Sequence, residues 1–156
     1  MCNKKIVLTS LTVLWVCFIW GNSLLPGSES QELSLPILYE FNNLLRSIGS
    51  DFQFTHFMVR KMAHFSEYAI LGVLLFTMFG QYICKVKDYI FNVLFFGLLT
   101  PVLDEFIQLF IDGRGGEIRD VIIDFSGVLT GIILVIIITK IIKNIKLKRR
   151  KQNVRY

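Results

Sequence analysis

Four ionisable side chains crowd into nine residues, Arg60-Lys61-Met62-Ala63-His64-Phe65-Ser66-Glu67-Tyr68, at the start of an otherwise apolar segment. Arg60, His64 and Glu67 recur at i, i+4 and i+7, so on a helix they share one face, with Lys61 and Tyr68 beside it. An imidazole so placed can act as general acid and base, with Glu67 or the more distant Asp104 as its partner. The guanidinium of Arg60, joined by Arg114 and Arg119, can stabilise a developing anion. Glu67, Asp104 and Glu105 with His64 instead offer the oxygen and imidazole donors that a divalent cation takes. No catalytic triad or metal signature is present, and a lone membrane histidine near a carboxylate, as in His64-x-x-Glu67, is more often a structural hydrogen bond. The metal ligands, and whether there is a cofactor at all, stay open on sequence alone.

Two further segments carry the same kind of residue. Asp104 and Gln108 fall on one helical face, with Glu105 turned by ~100° from Asp104. Asp120 and Asp124 share a face of the next segment. Between these lies Asp112-Gly113-Arg114-Gly115-Gly116-Glu117-Ile118-Arg119. A glycine-rich turn feeding a helix presents backbone N–H groups and a positive dipole end to a phosphate or carboxylate, and Arg114 and Arg119 would add charge-assisted hydrogen bonds. Its spacing is neither that of a P-loop nor of a dinucleotide fingerprint. The simpler reading is a tight interhelical loop with Asp120 as N-cap.

The elements that must position these groups are membrane-spanning. The chain has 156 residues, 53% of them apolar, with a mean hydropathy of +0.56; these values fit an integral membrane protein. After Tyr68 the apolar run to Phe79 covers only ~16 Å of a ~30 Å hydrocarbon core, so a helix crossing here carries the polar stretch in with it. Each such charge costs on the order of 3 kcal/mol, which is why intramembrane charges usually mark a site. The expected fold is a single all-α domain over 1–156 with four transmembrane helices, about 6–25, 57–79, 89–110 and 120–142. An interfacial amphipathic helix is expected between the first and second. There Ile37, Leu38, Phe41, Leu44, Leu45 and Ile48 recur at helical spacing, with Ser34 and Pro36 as start signals and Gly49 as a stop. A cleaved signal peptide is the rival reading of 6–25, but no clean cleavage site follows it.

Charge distribution orients the bundle. Eight of the 17 basic residues lie in a tail from Lys140 to Arg155, leaving nine basic against 12 acidic in the body. The net +5 is therefore no sign of nucleic-acid binding. Lys4, Lys5, the Lys85/Lys87 loop and the tail all fall on one side of four spans, which makes that side, with both termini, cytoplasmic. Measured from that side, Glu67 lies ~18 Å, Asp104 ~21 Å and Asp124 ~22 Å along their helices. Carboxylates from three helices thus reach one depth near the outer edge, beside Ser23 at the outer end of the first helix. Pro101 should kink the third helix, and Gly127 and Gly131 should let the fourth approach a neighbour closely. Cys2, Cys17 and Cys84 match no metal or redox spacing.

These residues also carry a resemblance. The Arg60–Tyr68 stretch, then Asp104-Glu105-Phe106-Ile107-Gln108, then Gly113-Arg114 with Asp120 and Gly127, resembles the VanZ-like family of bacterial membrane proteins over about residues 6–142. That family is named for a protein giving low-level resistance to teicoplanin, a lipoglycopeptide that binds cell-wall precursors. The resemblance implies a plasma-membrane protein whose polar positions are Arg60, Lys61, His64, Glu67, Tyr68, Asp104, Glu105, Gln108, Arg114 and Asp120. Asp124 departs from the uncharged polar residue, such as Asn, expected there, which weakens the case for it as a necessary carboxylate. The leading expectation is an outward-facing pocket that binds or remodels a lipid headgroup, a lipid-linked cell-wall precursor or the lipoglycopeptide itself. The alternative is an intramembrane hydrolase or transferase, metal-dependent or not, acting on a lipid-linked substrate. A transporter needs polar groups along the whole path, and the inner halves of these helices lack them. The oligomeric state is left open.

Overall fold

The computed structural model describes residues 2–153; Met1 and the last three residues, among them Arg155 of the expected tail, lie outside the described residues. Five helices follow one another: α1 (Cys2–Ser23), α2 (Gly27–Ser47), α3 (His56–Tyr82), α4 (Val86–Gln108) and α5 (Ile118–Asn153). There is no strand among the described residues. Four helices are long and apolar enough to cross a membrane: Asn3–Ser23, His56–Tyr82, Val86–Gln108 and Ile118–Arg149.

Several boundaries correct the sequence reading. The basic head is already helical from Cys2, and α1 stops at Ser23 although the apolar run reaches Leu25. The cause is Pro26, whose ring disfavours helical backbone in the residue before it. Helix α2 starts at Gly27, not at Ser34, and Pro36 lies inside it. That proline removes the hydrogen bond to the Glu32 carbonyl; both residues are exposed, so the freed carbonyl is not stranded in a core. The expected stop at Gly49 is observed. Its φ is +76°, and Gly49 N–H donates to Arg46 O while Ser50 N–H donates to Leu45 O, both at 3.0 Å, closing the helix in a Schellman motif. The basic tail is not a separate segment. No glycine or proline follows Gly131, so α5 runs unbroken through it to Asn153.

Cross-helix contacts set the topology. Thr9 Oγ1 bonds Tyr82 Oη at 3.0 Å and Asn22 bonds Glu67 at 3.1 Å, so α1 and α3 run antiparallel. Lys61 meets Asp120, Gly127 lies against Phe65 and Gly131 against Ala69, so α3 and α5 run parallel. The loops before α3 and α5 therefore share one end of the bundle, and the α3–α4 turn lies at the other.

The α3–α5 seam is closed by glycines from both sides. A Cβ at Gly131 would run into the Ala69 carbonyl, and one at Gly72 into the Val128 carbonyl. Around this crossing sits the core: Ile19, Tyr68, Leu71, Leu75, Phe76, Tyr89, Val93, Val128 and Ile132. Elsewhere large apolar side chains such as Phe91, Ile133 and Ile137 face outward, as a lipid-facing surface requires. Helix α2 is pinned rather than packed. Gly27 N–H donates to Asp112 O at 3.0 Å. Asn42 both donates to Phe54 O (3.2 Å) and accepts from Phe54 N–H (2.7 Å). Only Leu38 of α2 is buried, while Leu33, Ile37, Leu44 and Ile48 are exposed along one side.

Candidate functional site

At the end of the bundle where α2 lies, polar side chains from every helix converge. Gln108, wholly buried, is the hub. Its Oε1 accepts from Arg60 Nη2 at 3.1 Å. Its amide nitrogen lies within donor reach of Asp104 Oδ2 (3.1 Å), Ser23 Oγ (3.3 Å) and Glu105 Oε1 (3.5 Å). One side chain thus links α1, α3 and α4. Helix periodicity explains how: Asp104 and Gln108 are one turn apart on the inward face of α4, beside the buried Pro101 and Gly97.

The carboxylates then divide by role. Glu67 accepts from Asn22 Nδ2 at 3.1 Å, while its backbone carbonyl accepts from Trp15 Nε1 at 2.9 Å. Glu105 Oε2 accepts from the Glu117 backbone N–H at 2.8 Å. Asp120 pairs with Lys61, whose ammonium also lies 5.1 Å from the Phe57 ring centroid. Asp120 sits in the first turn of α5, and Glu117 rather than Asp120 begins that helix through its carbonyl.

His64 corrects the expected pairing. Its Nδ1 faces Asp124 Oδ2 at 3.7 Å, not Glu67. Asp124, a candidate whose necessity the sequence weakened, is 1% exposed. Ligand atoms of His64, Asp104 and Asp124 all lie within 4.8 Å of one another. The cation set expected around Glu67 and Glu105 is not what the fold assembles, because those two carboxylates are turned to Asn22 and to the Glu117 amide. Four polar atoms in this region are buried with no hydrogen-bond partner among the described residues: Tyr68 Oη, Asp104 Oδ1, Asp124 Oδ2 and Arg114 Nε.

Arg114 reaches in from the α4–α5 loop, its Nη2 donating to the Asn22 carbonyl at 3.0 Å. Burial, and the nearby Arg60, hold its guanidinium below the ordinary arginine value, though an arginine stays charged even so. Arg119 is exposed and makes no ion pair among the described residues. It falls ~100° from Asp120 on α5, off the face that meets Lys61. A cavity of about 160 Å³ lies between α2 and α3. Asn22, Arg60, His64, Glu67 and Arg114 line it from the bundle, and Ser30, Leu33, Ser34 and Ile37 line it from α2. Ser34 Oγ also lies 3.3 Å from His56 Nδ1.

The fold thus brings together Ser23, Arg60, Lys61, His64, Glu67, Tyr68, Asp104, Glu105, Gln108, Arg114, Asp120 and Asp124, and leaves Arg119 outside. Sequence reasoning missed Asn22, which bonds both Glu67 and Arg114. Its signal was available: a polar side chain at the outer end of α1, at the depth of the carboxylates. It also missed the serines of α2, whose helix begins before the start signals used to place it.

A family model described as VanZ/LLP1 matches residues 8–139. No curated protein and no solved structure matches the chain.

Proposed function

The chain belongs to the VanZ/LLP1 family of membrane proteins, and from that membership we propose that the cavity beneath α2 faces outward and binds the phosphate-bearing headgroup of an amphiphile. The ligand class is a membrane lipid or lipid-linked cell-wall precursor, held at the outer leaflet of a bacterial plasma membrane with both termini inside. One observation carries this reading. Two guanidiniums, Arg60 and Arg114, line the cavity, and among the described residues neither lies within 4.0 Å of a carboxylate. Their partners are a neutral amide and a carbonyl, so both keep charge to offer an anion, and arginine's planar fork suits phosphate.

Two features support the amphiphile rather than a free anion. Helix α2 and its C-cap expose Leu33, Ile37, Leu44 and Ile48 along one side, a stripe suited to lying in the membrane interface, and Leu33 and Ile37 reach the cavity as well. An apolar groove of about 430 Å³ between α1, α3 and α4, with Val13, Val16, Leu75, Phe79, Phe96 and Leu103 in its walls, is room for an acyl or prenyl tail. Retention of phosphatidylglycerol over phosphatidylcholine by the purified protein, measured by native mass spectrometry, tests the proposal. Equal retention of the two, unaltered by Arg60→Ala with Arg114→Ala, would sink it. Lowered teicoplanin susceptibility on expression in a sensitive bacterium, lost in the same double variant at equal protein level, would extend it to resistance.

The second reading is an intramembrane hydrolase or transferase. It is favoured by His64, which lines the cavity while its Nδ1 faces a buried carboxylate, the arrangement a general base needs. Release of phosphate or of a headgroup from a bound lipid would distinguish turnover from binding.

A further inference from the structure

Beneath the cavity the arrangement of His64, Asp104 and Asp124 has too little positive charge. Both carboxylates are essentially inaccessible, at 0% and 1% exposure. Asp104 Oδ1 and Asp124 Oδ2 find no hydrogen-bond partner among the described residues. Among the described residues no lysine or arginine lies within 4.0 Å of either carboxylate: Lys61 pairs with Asp120, and Arg60 and Arg114 point to Gln108 and the Asn22 carbonyl at the cavity wall. Buried carboxylates normally pair with a cation or coordinate a metal. Here three helices each contribute one donor, and the three donors lie within 4.8 Å of one another.

We propose that His64, Asp104 and Asp124 bind one divalent transition ion, zinc or manganese. One imidazole nitrogen with two carboxylate oxygens is the donor mixture such ions take, whereas calcium asks for six to eight oxygens. Ligands about 2.1 Å from a tetrahedral ion stand roughly 3.4 Å apart, so the 3.7 Å between His64 Nδ1 and Asp124 Oδ2 needs only a small side-chain rotation. Gln108 holds Asp104 by Oδ2, the orienting task an outer partner performs at a metal, and Oδ1 is left without a hydrogen-bond partner among the described residues. Three protein ligands leave a position open. Because His64 also lines the cavity, that position can take water or a phosphate oxygen of the bound headgroup. This deepens the pocket reading and rests on it for the ion's route of entry and open position.

The test uses the full chain purified without a histidine tag, stripped with chelator and titrated with zinc or manganese chloride. Elemental analysis is expected to find one ion per chain, and the melting temperature is expected to rise on loading. Asp124→Asn and His64→Ala should weaken uptake by more than about a hundredfold, a larger loss than removing an outer partner usually causes. Where a variant does not fold, the wild-type titration decides alone. Wild-type uptake far below one ion per chain, or uptake unchanged in folded Asp104→Asn/Asp124→Asn protein, overturns the inference. Arg114→Ala separates the two proposals, since it should lose phosphatidylglycerol while keeping the ion. Lipid retention without ion uptake would leave the pocket standing and remove the metal; ion uptake without lipid selectivity would do the reverse.

Discussion

The Glu105 carboxylate on α4 accepts the backbone N–H of Glu117 at 2.8 Å, across the loop that joins α4 to α5. In a capping box this amide is bonded by the residue three positions into the helix. That residue is Asp120, and Asp120 is turned to Lys61. A buried acid from the preceding helix fills the role instead. Glu105 therefore reads as the anchor of α5 rather than as a reacting group, despite its place in the polar cluster.

Glu105→Ala is expected to lower stability by about 1–3 kcal/mol, the worth of a part-buried hydrogen bond to a carboxylate. In folded protein, retention of phosphatidylglycerol should be unchanged. Thermal unfolding in detergent and native mass spectrometry read the two quantities. Full stability with lost lipid binding would reverse the assignment.

The α3–α5 crossing depends on the absence of side chains. Gly131→Leu must push Ala69 away, and Gly72→Val must push Val128 away. Each is expected to cost about 1–3 kcal/mol through overpacking. Because the same seam places His64 against Asp124, both variants should also lose the ligand of the polar site. Gly21→Ala, where a Cβ meets nothing within 4 Å, is the matched control and should behave as wild type.

Arg114 in the α4–α5 loop and Arg119 in the first turn of α5 should separate cleanly. Arg114→Ala removes a charge from the cavity wall and should weaken phosphatidylglycerol binding about 10- to 100-fold, the worth of a charge-assisted hydrogen bond. Arg119→Ala, exposed and outside the cluster, should leave it unaltered. Titration in nanodiscs of defined composition measures both. Equal losses would mean that the two arginines act through net charge alone.

Orientation can be read with thiols. Cys84 is exposed in the α3–α4 turn, the end assigned to the cytoplasm. A membrane-impermeant maleimide should label Cys84 only after permeabilisation. It should label a cysteine placed at Ser28 in whole cells. The opposite pattern would invert the topology and with it the outward cavity.

Much of this was legible from residues alone, because it depends on local periodicity. The apolar runs announce four helices, the 1.5 Å rise per residue puts Glu67, Asp104 and Asp124 at one depth, and the i, i+4 spacing puts Asp104 and Gln108 on one face. The same spacing put Arg60, His64 and Glu67 on a shared face, and all three line one cavity. Depth and face are properties of a single helix. Which side chain meets which is a property of two, and it follows from the rotation of each helix about its axis and from how closely their backbones approach. Only the packed bundle, drawn together where glycines meet carbonyls at the α3–α5 seam, decided that His64 faces Asp124, that Glu67 takes Asn22, that Glu105 caps α5 and that Arg119 stays exposed outside the cluster.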